Sequence, residues 1–271
     1  MSHPTHPFDR LRYSRNYRRQ KLIDARRMLT RPLRGLIRRF GFDIVFAPEY
    51  GFPPDLEERD IALVRRVQPY TMTAPEKMFA LLDASRYISQ NGIVGDIVEC
   101  GVWKGGSMMA AAEMLLRLND TQRTLWLFDT FTGMPEPSDK DADYSGTSAR
   151  MRLEKETNVQ AYAPLKEVER MMASTGYPSE RIRYIQGKVE DTIPATAPDR
   201  IALLRLDTDW YESTLHELTH LFPRLSTGGV LIIDDYGQWA GCRSATDEYF
   251  SQNGIRILLA RAELGRIAVK Q

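Results

Sequence analysis

Two apolar segments of the sequence each end in acidic residues. The first segment is followed by Asp207 and Asp209, and the second by Asp234 and Asp235. Carboxylates that are forced together repel one another and raise one another's pKa unless a cation lies between them. Oxygen ligands of this kind suit a hard divalent ion such as Mg²⁺, Mn²⁺ or Ca²⁺. If the two segments are neighbouring strands, a metal site is predicted at their ends; the alternative is helix capping and turn formation.

A glycine-rich turn, Glu99-Cys100-Gly101-Val102-Trp103-Lys104-Gly105-Gly106-Ser107, precedes a predicted helix. Backbone N–H groups in such a turn can hold an anionic group or a carboxylate. Its spacing matches neither G-x-G-x-x-G nor a P-loop, which disfavours NAD and ATP. Asp129 follows the next apolar segment, thirty residues after Glu99, where an acid can accept hydrogen bonds from both hydroxyls of a ribose. A tight strand–helix connection and a turn cap are the alternatives.

Residues 216–220 read His-Glu-Leu-Thr-His. In zinc proteases this H-E-x-x-H pattern supplies two metal ligands and a general base, which would be Glu217. Here the predicted helix connects two buried strands, and a third ligand such as Glu248 is unconvincing. We therefore favour surface or interface histidines over a zinc site.

Strands and helices are predicted to alternate from residue 96 onwards. Strands are predicted at 96–101, 124–131, 181–187, 200–209 and 228–236, with a final hairpin of 255–260 and 265–271. Helices are predicted at 75–92, 104–119, 165–176, 212–225 and 243–254. Such alternation requires a parallel sheet covered by helices, and the hairpin adds an antiparallel edge. Ligands are then expected beyond the carboxyl ends of the strands.

The composition is that of a folded protein, since 42% of the 271 residues are apolar and 27% are charged. No run of about 18 apolar residues predicts a transmembrane helix, and the N-terminus lacks the apolar region of a secretory signal. Two cysteines, Cys100 and Cys242, exclude a disulfide framework and favour a reducing compartment. We therefore expect a cytoplasmic protein.

The charge is distributed unevenly along the chain. Residues 1–40 contain eleven Arg and one Lys against Asp9 and Asp24, a net charge of +10, which leaves −9 for the rest of a chain whose formal net charge is +1. Such an arm suggests docking onto an acidic body or a partner subunit, and we expect a homo-oligomer formed through the N-terminal region. Anionic lipid and a transit peptide stay open, whereas no aromatic-basic pattern supports a nucleic-acid partner. Residues 1–60 are interpreted as arm and connector, and 61–271 as the main domain.

Five segments, in order, resemble the macrocin O-methyltransferase (TylF/MycF) family. They are 99–107, Phe128-Asp129-Thr130-Phe131-Thr132-Gly133-Met134-Pro135, 187–192, Leu206-Asp207-Thr208-Asp209-Trp210-Tyr211-Glu212-Ser213-Thr214 and Asp234-Asp235-Tyr236, together with Tyr70-Thr71-Met72. The match runs from about residue 60 to the C-terminus. The resemblance implies a Rossmann-like class I fold, a doubly wound, mostly parallel seven-stranded sheet with an antiparallel C-terminal hairpin and an N-terminal helical extension.

The same resemblance implies Mg²⁺-dependent transfer of a methyl group from S-adenosylmethionine to a hydroxyl. It places the metal on Asp207, Asp234 and Asp235 and makes Asp209 the catalytic base. The residues that it implies for cofactor binding are Thr71, Met72, Glu99, Gly101, Val102, Trp103, Gly105, Ser107, Asp129, Thr130, Phe131, Gly187 and Lys188.

A metal that is bound by two adjacent hydroxyls lowers the pKa of the attacking one, and a nearby base then removes its proton. This chemistry predicts a vicinal-diol acceptor, either a sugar of a glycosylated natural product or polysaccharide, or a catechol. The polar segment 136–163 is predicted to be a lid that contributes to this choice. Two more remote alternatives are a metal-dependent hydrolase that uses the aspartates and a non-enzymatic binding module.

Overall fold

The computed structural model describes residues 55–156 and 159–271. The basic arm at 1–40 lies outside these residues, as does most of the connector that follows it. Residues 62–271 form one compact unit. Within the described part of the chain, no helix is long and apolar enough to cross a membrane.

A seven-stranded sheet with the order β3-β2-β1-β4-β5-β7-β6 forms the centre of this unit. Its strands are β1 (Asp96–Cys100), β2 (Leu125–Asp129), β3 (Ile182–Gln186), β4 (Ile201–Leu206), β5 (Leu225–Ile233), β6 (Ala260–Ala262) and β7 (Gly265–Val269). The first five strands are parallel, and β7 runs antiparallel to both β5 and β6. The predicted mostly parallel sheet with an antiparallel C-terminal hairpin is confirmed.

The helices that alternate with the strands along the chain pack on the sheet. They are α1 (Glu58–Val67), α2 (Pro75–Gln90), α3 (Gly106–Arg117), α4 (Ala149–Lys155), α5 (Leu165–Ala173), α6 (Val189–Thr192), α7 (Tyr211–Leu221) and α8 (Ala240–Gln252). Helix α2 packs against α3, and α7 packs against α8. Pro223 interrupts the predicted helix 212–225, so that α7 ends at Leu221 and a 3₁₀ turn follows it.

The alternation of side chains along each strand separates two environments. Cys100, Leu204 and Leu206 belong to the apolar core that also contains residues of α7 and α8. Glu99 and Arg205, which are direct neighbours in the register of β1 and β4, point to the opposite face because successive side chains alternate. The face that carries α2 is therefore polar at the carboxyl end of the sheet, whereas the α7 face is mainly apolar.

The predicted strand at 255–260 is wrong for most of its length, since the last two-stranded ladder begins only at Ala260. Ile255, Ile257 and Leu259 nevertheless pack against the core. The alternation of apolar residues thus predicts the buried side correctly, but no strand within residues 55–156 and 159–271 pairs with this backbone.

Candidate active site

The carboxyl ends of the central parallel strands surround a cavity of about 500 Å³. All but three of the predicted site residues line this cavity: Thr71, Met72, Gly101, Val102, Trp103, Ser107, Asp129, Thr130, Gly187, Lys188, Asp207, Asp209, Asp234 and Asp235. Residues separated by more than 160 positions in the sequence therefore meet at one site. The three others, Glu99, Gly105 and Phe131, lie behind its wall.

The glycine turn after β1 has a conformation that requires glycine. Gly101 has φ +81°, and a Cβ atom there would overlap the backbone carbonyl of Asp207. Gly105 caps α3 with φ +85°. A Cβ atom on Gly106 would lie 2.5 Å from the backbone oxygen of Tyr70. The turn thus brings the backbones that follow β1 and β4 into direct contact and lets the 70–73 segment approach α3.

Asp129 ties this turn to the end of β2. Its Oδ2 accepts hydrogen bonds from the backbone N–H groups of Val102 (2.8 Å) and Trp103 (3.0 Å), and its Oδ1 accepts one from Phe131 (2.7 Å). Burial raises the pKa of Asp129, whereas the three donors oppose that shift. A carboxylate has about four acceptor positions, so one position stays available towards the cavity.

Two further segments approach the same end of the cavity. Thr71 Oγ1 lies 3.4 Å from Ser107 Oγ, and the neighbouring Met72 is 52% exposed. On the other side, Gly187 has φ +142° and donates its N–H to the backbone oxygen of Asp129 at 3.0 Å. The exposed Lys188 follows at the N-terminus of α6. The turn, Asp129 and these two segments form a continuous cradle.

The predicted carboxylate cluster forms at the adjacent end of the cavity. One carboxylate oxygen from each of Asp207, Asp234 and Asp235 lies within 4.8 Å of the others, the only such metal-like grouping in the described residues. Burial and the negative charge of Asp207 raise the pKa of Asp209 to about 7, although its hydrogen bond with Asp235 opposes the shift. Burial and the charge of Asp209 hold the pKa of Asp235 well above its ordinary range.

Two cations that the sequence interpretation missed lie beside these carboxylates. Arg205 donates to Asp207 Oδ2 and Asp234 Oδ1, both at 2.6 Å, and also pairs with Glu99. Lys77 of α2 pairs with Asp234 and is only 7% exposed. Asp234 is therefore neutralised twice, and its pKa is lowered although burial acts in the opposite direction.

These two cations correct the expectation that a metal alone offsets the repulsion. Glu99, Asp207, Asp209, Asp234 and Asp235 provide five carboxyl groups against the two positive side chains. Burial raises the pKa of Glu99 to about 8, although Arg205 opposes that shift. The sequence contained one indication of these ion pairs. Arg205 is a charged residue in the apolar strand of residues 201–206, and such a side chain is rarely buried without a partner.

The acid and the two histidines of the H-E-x-x-H segment lie in different surroundings. Glu217 is completely buried, whereas His216 Nε2 lies 2.9 Å from the backbone oxygen of Ile193. The imidazole rings of His216 and His220 are 4.4 Å apart at their centroids. This geometry agrees with the interpretation of the sequence, which favoured surface or interface histidines over a zinc site.

The segment predicted to be a lid, 136–163, is held at the start of α7. Asp141 Oδ1 accepts the N–H of Tyr211 at 2.8 Å. Trp210 Nε1 donates to the backbone oxygen of Pro135, the residue before the segment, at 3.0 Å. The helix α4 within it contributes Arg152 to the cavity wall. Its anchors thus hold part of the segment at the start of α7, while its role as a lid stays a prediction.

The strand order, the glycine turn after β1 and the acid at the end of β2 are those of a class I S-adenosylmethionine-dependent methyltransferase. The model of the macrocin-O-methyltransferase (TylF) family matches residues 48–267. The chain therefore belongs to this family of enzymes, and its cosubstrate is S-adenosylmethionine.

Several characterised proteins are similar to the chain. An 8-demethyl-8-(2,3-dimethoxy-alpha-L-rhamnosyl)-tetracenomycin-C 4'-O-methyltransferase from Streptomyces olivaceus is 36% identical over 206 residues, which cover 76% of this chain and 77% of the relative. The mycinamicin III 3''-O-methyltransferase of Micromonospora griseorubida is 35% identical, covering 69% and 72%. The structure of the O-methyltransferase NovP is similar with a TM-score of 0.66 and 32% identity, covering 74% of this chain and 82% of NovP.

Proposed function

We propose that the enzyme transfers the methyl group of S-adenosylmethionine to one hydroxyl of a vicinal diol, with the help of a divalent cation. The observation that carries this proposal is the shared wall of the cavity. Gly101, in the turn that would hold the methionine end of the cofactor, touches the backbone of Asp207 in the carboxylate cluster. A methyl donor at one end and a cation-bound hydroxyl at the other would therefore meet inside a single cavity.

The composition of the carboxylate cluster fits a divalent cation. The five carboxyl groups exceed the charges of Lys77 and Arg205 by up to three, and the buried Asp235 Oδ2 has no hydrogen-bond partner among the residues that the structure describes. Asp207, Asp234 and Asp235 would hold the ion, since oxygen ligands suit Mg²⁺, Mn²⁺ or Ca²⁺. Bound there, the ion supplies Lewis-acid chemistry that lowers the pKa of a coordinated hydroxyl.

The chain's own residues perform the remaining steps. Asp129 would accept hydrogen bonds from the ribose hydroxyls, and Gly187 and Lys188 would lie beside the adenine. Thr71 and Met72 would close over the sulfonium. Asp209 would accept the acceptor's proton as the oxygen–methyl bond forms and the methyl–sulfur bond breaks, which leaves neutral S-adenosylhomocysteine. A base with a pKa of about 7 suits this task at neutral pH, and alignment of the reactants contributes on the order of 7–11 kcal/mol at best.

We favour a sugar as the acceptor. Trp239 and Trp210 meet edge to face, with ring centroids 5.0 Å apart, and Trp239 lies in the cavity wall near Asp235. Such a wall suits the apolar face of a sugar ring while the carboxylate end takes its hydroxyls. The relative from Streptomyces olivaceus is named for a substrate that carries a rhamnosyl group, which supports the same choice. A catechol is the alternative acceptor.

Binding and transfer are tested in sequence. Calorimetry with S-adenosylhomocysteine is expected to give the same affinity in Mg²⁺ and in EDTA, because Asp129 and the backbone of the glycine turn, rather than the ion, would hold the cofactor. Radioactive methyl transfer is then measured with methyl α-L-rhamnopyranoside, p-nitrophenyl α-L-rhamnopyranoside and catechol. Transfer to a rhamnoside that stops in EDTA supports the proposal. Transfer to catechol alone would redirect it, and full activity in EDTA would remove the cation from the mechanism.

A further inference from the structure

A hydrogen bond beneath the cavity connects the carboxylate cluster to α7. Thr208, which separates Asp207 from Asp209, donates its hydroxyl to Glu217 Oε1 at 2.9 Å. Glu217 is the acidic residue of the H-E-x-x-H segment, and it is 0% exposed. Its carboxyl group lies outside the cavity wall, whereas Thr208 is part of that wall. Glu217 therefore contacts the loop that carries Asp209 without reaching the cavity.

The turn held by this bond has a strained backbone. Asp209 has φ +68°, in the left-handed region that is unfavourable for an L-residue other than glycine. The N–H of Trp210 donates to the backbone oxygen of Thr208 at 2.7 Å, and Ser213 Oγ donates to the same oxygen at 3.4 Å. Backbone strain of this kind persists where surrounding contacts fix it, and it concentrates at functional sites.

The surroundings of Glu217 indicate a neutral acid. Within residues 55–156 and 159–271, it has no salt bridge to a basic side chain, and its Oε2 lacks a hydrogen-bond partner. Burial, together with the charges of Glu190 and Asp207, raises its pKa well above the ordinary range, although hydrogen bonds from the side chains of Thr208 and Cys100 oppose this shift. A neutral acid accepts the threonine hydroxyl without adding a negative charge below the carboxylate cluster. Glutamine has the same shape and the same acceptor.

We infer that Glu217 is a positioning residue for Asp209: its hydrogen bond to Thr208 holds the Asp207–Asp209 turn in the left-handed conformation that directs the Asp209 carboxyl group to Asp235. This role rests on the proposed function, in which Asp209 takes the proton. It also gives the buried acid of the H-E-x-x-H segment a task in methyl transfer that is unrelated to zinc.

The deciding experiment is hydrogen exchange, followed by mass spectrometry of the peptide that contains residues 207–211 in the full-length protein without ligands. Glu217→Leu and Thr208→Val are expected to accelerate exchange of this peptide about 5- to 10-fold, the effect of one lost hydrogen bond. Glu217→Gln should exchange like wild type. Thr219→Val is the matched control, because Thr219 is an exposed threonine of α7 whose hydroxyl donates to the backbone oxygen of Leu215 in its own helix.

Functional readouts accompany the exchange measurement. Glu217→Leu is expected to lower kcat for the best acceptor about tenfold and to weaken Mn²⁺ binding, measured by electron paramagnetic resonance, while the affinity for S-adenosylhomocysteine stays within about twofold. Glu217→Gln should restore both values. The inference is overturned if Leu and Gln variants exchange alike at 207–211, or if exchange rises equally across α7 and the sheet. If wild type neither binds Mn²⁺ nor transfers methyl groups, the proposed function fails, while the exchange comparison still decides whether Glu217 holds the turn.

Discussion

Replacement of Lys77 by methionine separates the resident positive charge of the carboxylate cluster from the proposed metal. Methionine keeps the length of the buried stem, which packs near Gly265, but it removes the ammonium group that pairs with Asp234. Removal of one partner from a buried ion pair costs about 3–5 kcal/mol. Since Arg205 still contacts Asp234 at 2.6 Å, we expect a loss near the lower limit, about 3 kcal/mol.

This loss corresponds to a decrease of roughly 10 °C in melting temperature, because 1 kcal/mol shifts a domain of this size by about 2–4 °C. Mg²⁺ should then recover part of it. Unit charges 4 Å apart interact by about 4 kcal/mol at an effective dielectric constant of 20, so loss of the ammonium group should strengthen divalent-ion binding at least about tenfold. Stabilisation by a ligand grows with concentration over Kd, and the variant should therefore gain more from Mg²⁺ than wild type gains.

The assay is thermal unfolding followed by circular dichroism, in EDTA and in a Mg²⁺ series. Lys166→Met, at an exposed lysine of α5, is the matched control and should change neither curve. Lys77 is held charged, because the neighbouring carboxylates outweigh the effect of burial on its pKa. An unchanged melting temperature in EDTA would refute the role of Lys77, and equal gains from Mg²⁺ in both proteins would refute a metal at this cluster.

Three further predictions rest on individual contacts, and a fourth concerns the N-terminal region. Asp129→Asn should lower the affinity for S-adenosylhomocysteine more than about tenfold, measured by calorimetry, because an amide offers one oxygen to three converging N–H donors; unchanged affinity would contradict the placement of the cofactor. Gly101→Ala should cost on the order of 3 kcal/mol or more in urea unfolding, because its Cβ overlaps Asp207, whereas Gly92→Ala, with φ +62° but open space, should cost about 1 kcal/mol. Burial raises the pKa of Glu99 to about 8 from an unfolded value of 4.5. Because the unfolded chain releases this proton at a lower pH than the folded chain, the stability of wild type falls by up to about 1 kcal/mol per pH unit between those values. Glu99→Gln should therefore gain stability relative to wild type as the pH rises from 5 to 8, and parallel pH profiles would contradict this. A chain that begins at residue 61 should show a lower oligomeric mass than the full chain in light scattering; equal masses would exclude assembly through the N-terminal region.

The sequence predicted the parts of the site that depend on local pattern. Asp207 and Asp234 each follow an apolar run, and parallel strands bring such ends to one edge of a sheet. The positions of Asp129 and Gly101 follow from the same rule. These residues could be placed because each lies at the end of a predicted strand, and the order of the strands then fixes which ends meet.

The rest of the site depends on contacts that no local pattern contains. Lys77 and Asp234 are 157 positions apart, and only the packing of α2 on the sheet brings them together. In α7 the spacing of His216, Glu217 and His220 resembles a metal motif, but the spacing alone does not reveal which of these side chains is buried. The predicted strand 255–260 of the final hairpin was wrong for a similar reason. The alternation of apolar residues before Ala260 predicts which side chains are buried, but not whether another strand pairs with the backbone.

Arg205 gives a physical reason why the two ends of the cavity, the one proposed for the cofactor and the one that carries the carboxylates, should move together. Besides its ion pairs with Asp207 and Asp234, its Nη2 donates to Thr73 Oγ1 at 2.7 Å, in the segment proposed to close over the sulfonium. It also pairs with Glu99 at the end of β1. A buried guanidinium is satisfied only when such partners are all in place, so movement of the 71–73 segment and movement of the carboxylates are not independent. The site is therefore one network around a buried cation, and under the proposed mechanism the same side chain would position both the methyl donor and the acceptor oxygen.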